Sequence, residues 1–238
     1  GNDGILLKGK KDMSDIKGQK VNLVELSVSH YLLARGLESV GMSERDIKVV
    51  NTSDADMVAA YSSDEVTAMT TWNPQLSEIM SNNKSANLVF DSSKTPGEII
   101  DMLVVNTETL KDNPKLAKAL TGAWFEVMAL MKKGDEKALT FMAEASGTDL
   151  AGYKSQLGST MMFYDASEAV KFAVNDALPA TMKKVSEFSF DHGILGEGAP
   201  DAEFIGMEFP NGKTFGDTKN IKLRFTDTYV KMAADGKL

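Results

Sequence analysis

Small hydroxyl residues and a histidine open a predicted helix where a predicted strand ends. Ser27, Ser29 and His30 follow the apolar run Val21–Leu26 and begin a helix predicted over Ser27–Val40. A helix N-terminus presents unpaired backbone N–H groups and the positive end of the helix dipole, which suit a polar ligand. Serine is also a common helix cap, so these residues are either ligand contacts or ordinary capping and surface residues.

Two further strand ends carry candidate ligand-binding residues. Trp72 and Asn73 come after the predicted strand Val66–Thr70, and Ser53 comes after the predicted strand Ile47–Val50. A tryptophan at this place either forms the wall of a ligand pocket or belongs to the core. Asn73 and Ser53 are also good helix caps. Because the carboxyl ends of parallel strands meet at one edge of a sheet, we expect the three loops to form one small-molecule site.

Other polar residues give weaker signals. Glu98 lies near the start of a strand predicted over Ile99–Asn106, where a carboxylate either accepts hydrogen bonds from an N–H-rich ligand or faces solvent. His192 lies among glycines without ligand-type neighbours. The chain has no phosphate-binding loop, nucleophile-elbow motif or zinc-protease motif. We therefore predict no catalytic residue, no metal site and no cofactor.

Composition excludes several classes of function. The 238 residues include 26 Lys and Arg against 34 Asp and Glu, which gives a net charge of -8 and disfavours a nucleic-acid partner. The chain has no cysteine, which excludes disulfides, thiolate metal sites and cysteine nucleophiles. No apolar run approaches the roughly 18–20 residues of a membrane-spanning helix.

Strands alternate with short helices over the first hundred or so residues, which predicts an α/β unit with a mainly parallel sheet. From Asn113 the pattern becomes mostly helical, so we place a domain boundary between 1–104 and 105–238. Asn211-Gly212 predicts a hairpin. A further helix is predicted from Asp165, which forms a capping box with Glu168, and Pro179 breaks that helix. The other predicted helices of the second part are Asn113–Lys133, Asp135–Ala145, Thr148–Leu157, Ala180–Glu187 and Thr226–Ala234.

The segments ELSVSHYLLARGLE, NTSDAD, TWNPQLSEI and PGEIIDMLVVNTETL resemble periplasmic substrate-binding proteins of ABC importers. The resemblance is to the nitrate, sulfonate, taurine and thiamine-pyrimidine superfamily, and within it to the branch associated with urea carboxylase. It implies a periplasmic-binding-protein-like (type II) fold with two lobes. Residues 1–104 would be lobe two, and 105–238 would be the mostly helical C-terminal part of lobe one. The first strands of lobe one and an export signal would then lie upstream, and we expect self-association or complementation by that segment.

The resemblance also implies a function. A non-enzymatic receptor of this kind binds a solute between its lobes in the periplasm and delivers it to a membrane permease. Urea, an amide or a guanidine would be the solute, as part of nitrogen uptake, with Ser27, Ser29, His30, Ser53, Trp72, Asn73 and Glu98 at the cleft. Nitrate, sulfonate and taurine are alternative ligands, although no arginine lies in the strand-end loops. The alternative functions are a pyrimidine-synthase-like enzyme and a ligand-sensing regulatory domain.

Overall fold

The computed structural model describes residues 1–238, which divide into two compact units. The first unit consists of Gly1–Ile99 and Met142–Met161, and the second consists of Ile100–Phe141 and Met162–Leu238. None of the helices is both long enough and apolar enough to cross a lipid bilayer.

The first unit contains a five-stranded sheet with helices on its faces. Its strands are β1 (Asp3–Lys8), β2 (Lys20–Leu23), β3 (Lys48–Asn51), β4 (Ala68–Trp72) and β5 (Ala86–Asp91), in the order β3-β2-β4-β1-β5. Its helices are α1 (Val28–Ser39), α2 (Met57–Ser62), α3 (Gln75–Asn82) and, from the later segment, α7 (Leu150–Ser159). Strand β2 pairs parallel with β3 and β4, whereas β1 pairs antiparallel with β4 and β5. The sheet is therefore mixed: β2 to β5 share the predicted direction and β1 opposes them.

Alternation along the strands divides the core of the first unit between the two faces of the sheet. Ile5 and Leu7 of β1 pack on one face with Leu33 and Leu37 of α1. Leu6 lies on the other face, in a cluster that contains buried residues of α2 and α3. Since both faces carry fully buried apolar side chains, the strands read as continuous apolar runs in the sequence.

The helix predicted after β4 begins later than expected. We expected Asn73 to be the N-cap with Pro74 in the first helical position, but Pro74 is the N-cap of α3. Asn73 still helps to close the helix, because its Oδ1 accepts a hydrogen bond from the backbone N–H of Ser77 at 3.1 Å. Strand β4 also extends to Trp72, two residues beyond the predicted end.

The second unit combines helices with a small sheet. Its helices are α4 (Thr107–Asp112), α5 (Leu116–Lys133), α8 (Ala166–Ala173), α9 (Leu178–Asp191) and α10 (Thr228–Ala234), and α6 (Glu136–Ala145) follows α5. Its strands are β6 (Gly206–Glu208), β7 (Thr214–Phe215) and β8 (Ile221–Arg224), in the order β7-β6-β8. The hairpin predicted at Asn211-Gly212 is confirmed, since β6 and β7 pair antiparallel around it. Met182 and Phe209 belong to the core cluster of this unit.

Three local predictions in this part of the chain are wrong. Residues 100–106 form no strand, because no neighbouring strand takes up their backbone hydrogen bonds. The Asp165 side chain does not cap α8, since its carboxylate lies 2.6 Å from Lys132 Nζ instead. Pro179 does not precede the next helix but lies in the first turn of α9, where its missing N–H costs nothing.

Candidate functional site

The loops with the predicted site residues lie at one edge of the five-stranded sheet. Strands β2, β3, β4 and β5 all end at this edge, and β1 begins there, because β1 alone runs in the opposite direction. We call this edge the rim, and its loops are 24–27, 52–56, 73–74 and 92–95. The structure thus places Ser27, Ser53 and Asn73 at a common edge, as expected from parallel strands.

Ser27 is the N-cap of α1. Its Oγ accepts a hydrogen bond from the N–H of Ser29 at 3.1 Å and donates one to the carbonyl oxygen of Val24 at 2.7 Å. The residue before it, Leu26, has a φ of 61° and a side chain that is 55% exposed. A leucine in the left-handed region is strained, and such strain persists where surrounding contacts enforce it.

His30, a residue of α1, makes contacts that hold Leu26 in this conformation. Its Nδ1 accepts a hydrogen bond from the backbone N–H of Leu26 at 3.1 Å, and its Nε2 lies 2.7 Å from Glu44 Oε1. Because Nδ1 is an acceptor, the neutral ring carries its proton on Nε2, facing the carboxylate. The His30 side chain is only 7% exposed. The buried His30 side chain therefore stabilises the conformation of the 24–27 loop through this hydrogen bond to Leu26.

Replacing His30 with alanine is expected to release this loop. The Leu26 amide loses its acceptor, and losing a partly buried hydrogen bond worth about 0.5–1.5 kcal/mol speeds its hydrogen exchange about 2- to 13-fold. Native-state exchange followed by NMR measures this amide directly. The His30→Asn variant is the matched control, because its Oδ1 offers an acceptor near the position of Nδ1. Unchanged exchange at Leu26 in His30→Ala would show that other contacts hold the loop.

Three buried hydroxyl groups near the rim have no hydrogen-bond partner. They are Ser29 Oγ, in the first turn of α1, and Thr70 Oγ1 and Thr71 Oγ1, close to the end of β4, and all three residues are 0% exposed. Thr71 lies on the opposite face of the sheet from Thr70. Thr70 shares a strand face with Ala68, which lies in the same core cluster as buried residues of α1. An unpaired buried hydroxyl is costly, so the Ser29 and Thr70 hydroxyls would gain from a polar ligand that entered beside the N-terminus of α1.

A second group of polar residues, which sequence reasoning missed, ties two rim loops together. Asn22 Nδ2 donates to Thr52 Oγ1 at 2.9 Å, and the backbone N–H of Glu25 donates to Asn51 Oδ1 at 3.1 Å. The only sequence signal is an asparagine inside the apolar strand β2. Ser53, in contrast, makes no cap: it is exposed, and its Oγ donates to Asp56 Oδ2 at 2.5 Å.

Trp72 ends β4 beside the start of β1. It is half-buried, and its cross-strand neighbour is Asp3, which is 4% exposed. The backbone N–H of Asn73 donates to the carbonyl oxygen of Asn2 at 3.1 Å. The backbone N–H of Asp3 donates to Ser92 Oγ at 3.3 Å, which joins the beginning of β1 to the loop after β5. The aromatic ring thus has a carboxylate residue as its cross-strand neighbour.

Glu98 lies apart from the other predicted residues, against the middle of α1. Its carboxylate accepts two hydrogen bonds from Arg35, Nε to Oε2 at 2.7 Å and Nη2 to Oε1 at 3.3 Å, and one from Tyr31 Oη at 2.7 Å. The Glu98 side chain is 8% exposed. Burial, and then the hydrogen bond to Glu98, raises the pKa of Tyr31 above its ordinary value. The i, i+4 spacing of Tyr31 and Arg35 places them on one face of α1, but nothing in the sequence indicates that Glu98 meets that face.

The side chains of the rim are acidic. The carboxylates at or next to its loops are Asp3, Glu25, Asp54, Asp56 and Asp91, against a single basic side chain, Lys94. An excess of carboxylates attracts cations and N–H donors and repels small anions. The electrostatics of the rim therefore favour a solute that donates hydrogen bonds.

A family model described as NMT1/THI5 like matches residues 7–138, more than half of the chain. The chain belongs to this family. Binding proteins of Brucella abortus and Brucella suis are each 24% identical over 157 residues, which cover 64% of this chain and 48% of each relative. This NMT1/THI5-like chain thus spans about half the length of the curated relatives that it matches.

Solved structures share the fold. The periplasmic aliphatic sulphonate-binding protein of Escherichia coli superposes with a TM-score of 0.66 at 20% identity, over 81% of this chain and 61% of that one. The alkanesulfonate-binding protein of Xanthomonas axonopodis pv. citri, bound to MOPS, gives 0.64 at 18% identity, over 82% and 66%. These matches confirm the predicted α/β, periplasmic-binding-protein-like fold, and the NMT1/THI5-like family match confirms the predicted superfamily. The two solved structures are of binding proteins, and the Brucella relatives carry that name as well.

Proposed function

We propose that this chain is the ligand-carrying part of a solute-binding receptor of an ABC import system, and that it works without catalysis in the periplasm. The observation that carries the proposal is the first turn of α1. There, the cap Ser27, the strained Leu26 and the unpartnered hydroxyl of Ser29 lie together at the end of β2. This combination prepares a polar ligand site before any ligand arrives, and a membrane permease is the receptor's partner.

The solute is a small, planar, N–H-rich molecule such as urea, an amide or a guanidine, taken up as a nitrogen source. The acidic rim supports this class, because carboxylates and carbonyl oxygens accept the N–H groups of the solute. The half-buried ring of Trp72 adds a flat apolar wall, and a guanidinium on its face gains cation–π attraction. Ser29 and Thr70 accept or donate the remaining hydrogen bonds.

Glu98 takes an indirect part in this proposal. Its carboxylate is already shared between Arg35 and Tyr31, so it holds the middle of α1 and positions the first turn of that helix. Ser53 and Asn73 border the solute from the neighbouring loops. His30 acts by fixing the 24–27 loop.

A sulfonate or another small anion is the second candidate. It is favoured by the N-terminus of α1, where backbone N–H groups suit an anion, and by the ligands named for the structurally similar sulfonate-binding proteins. The acidic rim argues against it. The two candidates make opposite electrostatic demands, so a direct comparison separates them.

Titration of the chain with guanidinium, urea, acetamide, taurine and nitrate is the test. A ligand of four heavy atoms gains at most about 1.5 kcal/mol per atom, so we expect weak binding that NMR shift changes detect. Guanidinium and urea are expected to shift the amides of residues 25–30 and 71–73, and taurine and nitrate are not. Trp72→Ala is expected to weaken guanidinium binding about 2- to 30-fold.

The other tryptophan of the chain, which lies outside the rim, provides the control. Trp124 lies in α5 of the second unit, so Trp124→Ala is expected to leave the guanidinium shifts unchanged. If taurine alone shifted the rim amides, the solute would be an anion instead of an N–H-rich molecule, and the proposal that the chain is a receptor would still stand. The absence of rim shifts with all five compounds would contradict the proposed site.

A further inference from the structure

A second concave site lies in the first unit, on the face of the sheet that α1 covers. This cavity of about 620 Å³ is bounded by the C-terminal half of α1, by β5 and by the turns at 11–13 and 94–95. Its volume falls in the range of small-molecule sites. It begins at Arg35, more than one helical turn beyond the Ser27–His30 segment. It shares Lys94 and Thr95 of the 92–95 loop with the rim, but none of the side chains proposed above to contact the solute.

The floor of the cavity is apolar and firmly held. Met13, which is 6% exposed, and the half-buried Val89 and Phe90 supply it. At Gly36, α1 approaches the sheet so closely that an added Cβ would lie 2.6 Å from Ile5 Cδ1. The helix can therefore not move inward to close the cavity, and the floor accepts the flat face of an aromatic or short aliphatic group.

The wall of the cavity carries basic groups that can still form ion pairs or hydrogen bonds with a ligand. Lys11 and Lys94 are exposed and form no ion pair. Arg35 is fixed in place by Glu98 and Glu38, and these contacts use three of its five N–H groups. Two guanidinium N–H groups thus remain on a side chain that already has a fixed orientation, and such groups bind a carboxylate with little loss of entropy.

The wall also carries two carboxylates, Asp12 and Glu38, against the three basic side chains Lys11, Arg35 and Lys94. Asp12 accepts hydrogen bonds from the N–H of Ser14 at 2.8 Å and from its Oγ at 2.6 Å, which lowers the pKa of Asp12. Glu38 is paired with Arg35. These contacts do not remove the charge of a carboxylate, so the lining has an excess of one basic side chain, and the ammonium groups of Lys11 and Lys94 face solvent without an ion-pair partner.

We propose that this cavity is a second ligand site, for a small carboxylate with a flat apolar body. The carboxylate lies between Lys11, Lys94 and the free edge of Arg35, and the body lies over Phe90. The site differs in ligand class from the rim, because carboxylates outnumber Lys94 at the rim, whereas in this wall Lys94 joins Lys11 and Arg35 against two carboxylates.

Benzoate is the probe, and its uncharged analogue benzamide is the comparison. Benzoate is expected to shift the amides of Val89, Phe90 and Thr95 in NMR spectra, and benzamide is expected to bind more weakly. The Lys11→Gln/Lys94→Gln double variant is expected to lower benzoate affinity about tenfold and to leave benzamide affinity unchanged. The control is Lys48→Gln/Lys84→Gln, which removes the same charge from exposed positions outside the cavity.

A filled cavity provides a second, independent test. Ser39 lies at the exposed end of α1 and lines the cavity, so Ser39→Trp blocks it without disturbing the core. This variant is expected to abolish benzoate shifts at β5 while the response of the rim to guanidinium is retained. Equal binding of benzoate and benzamide, or benzoate binding that survives Ser39→Trp, would overturn the proposal.

Discussion

Replacing Arg35 with alanine is expected to lower the free energy of unfolding by about 3–5 kcal/mol. The guanidinium makes two hydrogen bonds to Glu98, whose side chain is only 8% exposed. Without Arg35, the carboxylate stays buried beside Tyr31 with no compensating charge, and that desolvation penalty is the larger part of the loss. Urea unfolding followed by circular dichroism measures the change.

A double-mutant cycle distinguishes this cause from a general loss of packing. Glu98→Gln removes the buried charge, so the Arg35→Ala/Glu98→Gln double variant is expected to be more stable than Arg35→Ala alone. Arg45→Ala is the control, because Arg45 is exposed and its guanidinium forms no ion pair. A loss below about 1 kcal/mol in Arg35→Ala would show that solvent screens the pair as it screens surface ion pairs.

Replacing Gly206 with alanine is expected to cost about 3 kcal/mol or more in the second unit. An added Cβ would overlap the backbone carbonyl oxygen of Asp217 and would lie 2.8 Å from Ile221 Cδ1. A flexible side chain can move away, but a backbone oxygen at the turn before β8 cannot move without breaking the pairing of β6 with β8. The small sheet and its core around Met207 are expected to loosen together.

The two tryptophans make this measurement specific to one unit. Trp72 lies in the first unit and Trp124 in the second, so fluorescence of a Trp72→Phe background reports on the second unit alone. Gly122→Ala in α5 is the matched control, because an added Cβ there meets only Leu238 Cδ1, at 3.8 Å. That change is expected to stabilise the unit by up to about 1 kcal/mol. Equal unfolding midpoints for the two variants would contradict the argument from close approach.

Much of the fold could be predicted because its signals are local. Ser27 before an amphipathic run marks the start of α1, Gly134 ends α5 in the left-handed conformation, and Asn211-Gly212 marks the hairpin. Each signal depends on the backbone conformation or capping of residues that are neighbours in sequence. The alternation of strands and helices likewise predicts the α/β class and, through the common direction of β2 to β5, the shared edge that forms the rim.

The role of each predicted site residue could not be determined in this way. The sequence shows that His30 lies in a helix start, but only the folded loop brings its Nδ1 to the Leu26 amide. Glu98 meets Arg35 across 63 positions of chain, and no local pattern indicates that pairing. Ser53 has the sequence of a helix cap, yet its hydroxyl bonds to the Asp56 carboxylate instead.

The sequence by itself determined the α/β class, most helix boundaries and the placement of polar residues at strand ends, because capping, turn formation and amphipathic periodicity are local properties of the chain. Only the tertiary structure decided the insertion of β1 between β4 and β5, the burial of Glu98 against α1 and the basic cavity at Phe90. These features join segments that are distant in sequence, and their energies come from packing, desolvation and strand pairing, which arise only when the segments meet.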